Sequence, residues 1–209
     1  MSAAVWVIQD GRSLIGDRMS FWAKDGRGYT TDLDKAEHWT QEAAQARNIS
    51  RETNIPWPLA YLEQHAETAV DCQYLRQEAV EEGLQTAQRG YLYANKAWNG
   101  NDLYWLTDNG NITSNFARAH AFPIGIARSM AKPGHHNVCL VPAAVAEQLA
   151  RKVVPSGAVQ IGIALQGTGV VLAKPARVQS TFRCGYCGVF INRHQVGAGC
   201  PKCRRTNLP

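Results

Sequence analysis

The sequence predicts an α+β protein: two tandem β-hairpin–helix repeats separated by a helical segment, then a further small αβ region and a cysteine-bearing C-terminal module. Three observations predict it. A stretch within the first fifty residues recurs 83 positions later. Apolar residues from Leu59 to Val80 recur at helical spacing. Four of the six cysteines form two Cys-x-x-Cys pairs near the C-terminus.

The repeat lays Phe21–Trp39 on Tyr104–Phe122 without a gap, matching Trp22 with Trp105, Asp25 with Asp108, Thr30 with Thr113 and Ala36 with Ala119. An apolar strand precedes each copy, Val5–Ile8 and Tyr91–Ala94. A turn tolerant of left-handed backbone follows the aromatic pair, Asp25-Gly26 in one copy and Asp108-Asn-Gly110 in the other. Asp32 or Asn115 then caps a short helical segment, and Thr40 with Glu42 starts another. The expected modules are residues 1–50 and 91–130, joined by a helical connector over 51–90 in which Pro58 opens a helix. The module resembles short proteins common in bacteriophage and mobile elements, a resemblance that speaks to origin more than activity. Trp22, Trp39, Tyr29 and Trp105 have two readings, a core set at alternating strand positions or a stacking platform for bases or a peptide.

Residues 131–178 read as strand, helix and hairpin. Val138–Val141 is the strand, Pro142 opens a helix over Ala143–Lys152, and Val159–Leu165 with Val170–Ala173 flank a Gly-Thr-Gly turn.

The C-terminal module, residues 179–209, holds Cys184-Gly-Tyr-Cys187 and Cys200-Pro-Lys-Cys203. Each pair directs two thiolates at one centre from a tight knuckle, and two knuckles supply a tetrahedral metal site. Val189–Val196 between them reads as a short hairpin. This layout resembles the zinc-ribbon family over about 25 residues, which implies structural Zn²⁺ held by Cys184, Cys187, Cys200 and Cys203. Four-thiolate sites accept iron as well as zinc. With four thiolates the centre is closed and offers no position for substrate water. Cys72 and Cys139 read as buried free thiols.

Net charge is +5, and it is uneven. The first 90 residues sum to −5 and the rest to +10, and residues 181–209 carry five basic residues and no acidic one. This balance has two readings, a charge that serves solubility or a surface for an anionic partner such as nucleic acid, a nucleoprotein complex or an acidic protein face. Arg183, Arg193, His194, Lys202, Arg204 and Arg205 supply positive charge, with Tyr186 and Phe190 as stacking surfaces. The alternative is a phage-type inhibitor or adaptor docking on a bacterial machine such as RNA polymerase, a nuclease or an anti-phage defence complex. No apolar run reaches the ~18 residues of a membrane span. The start lacks a secretory leader, so a cytoplasmic location in a bacterial host is expected. No nucleophile elbow, zincin, Walker or dinucleotide motif is present, which favours a non-enzymatic role. A site defined by geometry alone would fall in the middle region, with His120, His135 and His136 as candidates.

Overall fold

A computed structural model describes residues 4–132, 137–174 and 181–207. The chain divides into two units, Met1–Ala173 and Lys174–Pro209.

The first unit opens with β1 (Trp6–Ile15), β2 (Arg18–Trp22) and β3 (Tyr29–Thr30), followed by α1 (Gln41–Ser50) and β4 (Asn54–Pro58). They form a sheet in the order β3-β2-β1-β4. Pro56 and Pro58 are tolerated because β4 is an edge strand, where a missing N–H breaks no inner ladder. The expected caps form: the Asp32 carboxylate accepts from the Asp34 N–H, and the Thr40 hydroxyl accepts from the Ala43 N–H.

The connector is only partly helical. α2 (Leu59–Gln64) and α3 (Gln77–Gly83) flank β5 (Glu67–Val70). The helical periodicity is overridden at β5 because its backbone pairs with a strand more than eighty residues away. Tertiary pairing of this kind commonly outweighs propensity.

A second sheet follows, built from β6 (Arg89–Asn99), β7 (Asp102–Leu106), β8 (Ile112–Thr113), β9 (Ala121–Pro123) and, after α4 (Ile124–Met130), β10 (Val138–Pro142). Then come α5 (Ala143–Gln148), β11 (Ala150–Val153) and α6 (Ile161–Ala164). The expected helix over Ala143–Lys152 therefore stops early, where β11 pairs with β5. The expected hairpin over 159–173 does not form. Ile161–Ala164 is helical, Gly167 and Gly169 take φ of 75° and 79°, and Val170 is buried against Trp6 and Ile8.

Strand registers in the two sheets coincide after a displacement of 84. Trp6 faces Pro58 and Gly90 faces Pro142; Gln9 faces Phe21 and Tyr93 faces Trp105. Even the β1–β2 irregularity recurs, with Leu14 facing Met19 and Trp98 facing Leu103. These registers correct the gapless alignment. Phe21, not Trp22, takes the register position in its sheet that Trp105 takes in the other, and both are fully buried. Trp22 matches Leu106, and the displacement falls to 83 only at Thr30 and Thr113, because the first turn is one residue longer.

Each half of this unit, β1–β5 and β6–β11, lends a segment to the other. Val154 lies in the core of Val7, Met19, Phe21 and Trp57, whereas Val70 lies in the core of Leu103, Trp105, Phe116 and Val141. β5 and β11 run antiparallel with Thr68 facing Lys152. The two β-turns meet backbone to backbone: a Cβ at Gly16 would strike Gly100, and one at Gly100 would strike Gly16. Both glycines have left-handed φ, 65° and 63°, so position and contact alike demand glycine. The Ser156 N–H donates to the Asp17 carbonyl at 2.8 Å, and the Cys72 N–H donates to the Asn101 carbonyl at 2.9 Å.

Arg18 and Asp102 meet at this junction. Both side chains are buried, and Arg18 Nε donates to Asp102 Oδ2 at 2.9 Å. Arg18 Nη1 also reaches Glu67 at 3.1 Å, and Arg151 Nη2 donates to Asp102 Oδ1. Burial pushes the Asp102 carboxyl above its ordinary range, while Arg151 and Arg18 pull it back down. Removing one partner from such a network leaves a buried charge unpaired. Asp102→Ala is therefore expected to destabilise the protein by about 3–5 kcal/mol in denaturant unfolding, and Asp102→Asn, which can still accept hydrogen bonds, by less.

Candidate metal centre and basic surface

The second unit has two short strands, β12 (Thr181–Arg183) and β13 (Phe190–Asn192), and a helix, α7 (Arg193–Ala198). The expected hairpin within Val189–Val196 does not form: residues 181–183 pair with 190–192 instead, and the rest of that stretch is taken by α7. The cause is a capping box. The Asn192 side chain accepts from the Gln195 N–H, and the Gln195 side chain accepts from the Asn192 N–H, both at 2.9 Å. The Asn-x-x-Gln spacing was the signal for it in the sequence.

The two knuckles are built alike. The Gly188 N–H returns to the Cys184 carbonyl at 2.9 Å, and the Arg204 N–H returns to the Cys200 carbonyl at 2.8 Å. Gly188 takes φ of 72°, and Arg204 takes the same left-handed turn at 61° despite its side chain. Asn207 ties the tail to the first knuckle, its side-chain oxygen accepting from the Gly185 N–H at 2.9 Å and its own N–H donating to the Val196 carbonyl. Nothing in the sequence marks Asn207 for this role.

These turns bring the Cys184, Cys187, Cys200 and Cys203 sulfurs within 4.8 Å of one another. The 184–203 and 187–200 pairs each stand at 3.6 Å, too long for a disulfide and close to the ~3.8 Å edge of a tetrahedron with metal–sulfur bonds of about 2.3 Å. The thiols are unequal. Burial raises Cys184, but the N–H groups of Tyr186 and Cys187 and the thiols of Cys203 and Cys187 bring it down to about 6. Cys187 accepts from the Val189 N–H, which lowers it, yet burial and the thiols of Cys200, Cys203 and Cys184 push it up to about 11. The four cysteines can hold a metal ion, and the backbone N–H groups on their sulfurs suit a thiolate set. Among the described residues, no other group of three or more His, Cys, Asp or Glu side chains is placed to hold one.

All seven expected binding residues, Arg183, Tyr186, Arg193, His194, Lys202, Arg204 and Arg205, are exposed. Arg183 lies over the Phe190 ring at 4.8 Å, and Arg205 lies over the Tyr186 ring at 4.9 Å. Arg183 and Tyr186 share the lining of a depression of about 370 Å³ with Phe182 and Ile191. Among the described residues, no comparable contact gathers Arg193, His194, Lys202 and Arg204. In the first unit, Trp105 is core, as one reading expected, while Trp22 and Trp39 are half-buried. His120 stacks edge-on against Phe122 at 4.5 Å. His135 and His136 lie outside the described residues. No described helix is long and apolar enough to cross a membrane.

No protein-family model, curated protein or solved structure matches this chain.

Metal uptake must displace the proton that Cys187 retains at neutral pH, so loading at pH 7 should release protons and affinity should fall as the pH is lowered. Proton release on titration with Zn²⁺ in weak buffer measures this. Cys200→Ser should abolish stoichiometric metal by elemental analysis. It should also collapse the amide dispersion of residues 181–207 and leave that of the first unit intact.

Proposed function

We propose that the C-terminal unit is a zinc-stapled module that binds nucleic acid through its basic, aromatic surface. The observation that carries the proposal is the pair of arginines, Arg183 and Arg205, each lying over an exposed ring in a segment without any carboxylate. A guanidinium on a ring face is already oriented for phosphate. The rings of Tyr186 and Phe190, which are 60% and 62% exposed, offer surfaces for bases. Zinc is favoured over iron by the small, closed ribbon, in which the metal replaces a hydrophobic core too small to hold the fold alone.

We infer further that residues 4–173 are two copies of one unit of about 84 residues, longer than the hairpin–helix modules expected from the sequence, with their terminal segments exchanged. Support comes from the coincident registers, the matching cores and the turn-to-turn contact. On this reading Arg18 and Asp102 are equivalent positions, and so are Glu67 and Arg151, so the two copies meet through opposite charges.

The functional proposal is tested by fluorescence anisotropy with labelled single-stranded and duplex oligonucleotides over a salt series. Affinity should fall steeply with salt, and Arg183→Ala with Arg205→Ala should flatten the log–log slope by about 1 for each phosphate that is no longer neutralised. Binding indifferent to salt, or absent with every DNA and RNA probe, contradicts the proposal and points to a protein partner.

A further inference from the structure

A cleft opens in the first unit at a place where the two halves differ. Ile8, Trp22, Trp39, Glu37, Arg47 and Asn54 line a cleft of about 350 Å³. The corresponding place in the second half is filled. Leu92, Leu106, Phe122, Met130 and Val138 stand at the positions displaced by 83 or 84 from Ile8, Trp22, Trp39, Arg47 and Asn54, and they pack together as an apolar cluster. The extra residue of the first turn also falls here, in the wall formed by Ala23, Asp25 and Gly26. One half has closed this space with hydrocarbon, and the other keeps it open and lines it with charge.

The groups around the cleft are held in place but not satisfied. The Trp22 indole N–H donates to Asn54 Oδ1 at 3.1 Å, and Tyr29 packs on Trp22 with ring centroids 4.8 Å apart, so that indole is fixed. Glu37 Oε2 accepts from the Asp25 N–H at 3.1 Å, while its Oε1 accepts no hydrogen bond among the described residues. The Arg47 guanidinium lies 4.6 Å over the Trp39 ring and donates to no described acceptor. The cleft therefore offers aromatic surface, an anchored carboxylate with a free oxygen and a free guanidinium.

We propose that this cleft binds a guanine base together with its phosphate. A purine stacks on indole. Guanine presents N1–H and N2–H donors to the Glu37 carboxylate, and Arg47 is the partner for the phosphate. Adenine presents an acceptor at N1 and meets the carboxylate with repulsion. A simple organic cation would fit the aromatic surface and the carboxylates, but it would face Arg47.

The test is isothermal titration of the full zinc-loaded chain with GMP, AMP, guanosine, tetramethylammonium and a tetranucleotide bearing one 5′ guanine. GMP is expected to bind saturably, at least about tenfold more tightly than AMP, because a site built to hydrogen-bond a donor edge rejects a ligand lacking it. Glu37→Gln should erase that preference, and Arg47→Ala should weaken GMP but not guanosine. Both positions are incompletely buried, so the variants should fold, with circular dichroism as the check. Arg183→Ala with Arg205→Ala should leave GMP binding unchanged, which separates this cleft from the ribbon. Binding of GMP alone identifies a free nucleotide as the source, and tighter binding of the tetranucleotide identifies a strand end; either supports the proposal. Equal affinity for GMP and AMP, insensitivity to Glu37→Gln, binding of tetramethylammonium alone or no heat with any guanine ligand overturns it.

Discussion

The buried ion pair between Arg18 and Asp102 is the constraint around which the first unit is arranged. Taking both charges out of water costs several kcal/mol per ion, and the cost is met only where hydrogen bonds saturate each group. Here Asp102 is shared between Arg18 and Arg151, and Arg18 is shared between Asp102, Glu67 and the Ser114 hydroxyl. Those partners come from turns and strands in both halves. The network therefore fixes how the halves meet, a requirement that an apolar contact of the same size would impose only loosely.

The cores follow from that junction. Because β5 and β11 pair with each other, Val70 and Val154 each complete the hydrophobic cluster of the opposite half. The glycine pair at 16 and 100 makes the close approach possible, and a side chain at either position would separate the turns. Inferred duplication gives each half the same scaffold, which leaves a cleft free to diverge in one of them.

Much of this was legible locally and little of it globally. The two Cys-x-x-Cys pairs announced the knuckles because their spacing alone brings four sulfurs together. The caps at Asp32 and Thr40 were readable because a capping side chain acts within three residues. The strand at β5 was not readable, because its partner is too distant in sequence for periodicity to register. The gapless match of 21–39 to 104–122 was readable but stands one residue out of step with the strand registers, since an aromatic at 22 and another at 105 looked equivalent when their burial differs. The charge network was invisible, as Arg18, Glu67, Asp102 and Arg151 converge only once the halves have docked.

We infer that the Arg18–Asp102 junction and the strands β5 and β11 lock the halves of the first unit into one cooperative body. Native-state hydrogen exchange can compare amides of β1 in the first core with those of β6 in the second. One shared opening free energy is expected for both strands, lowered equally in both by Arg18→Met at the junction. Separate opening energies, with only β1 responding to the substitution, would contradict it.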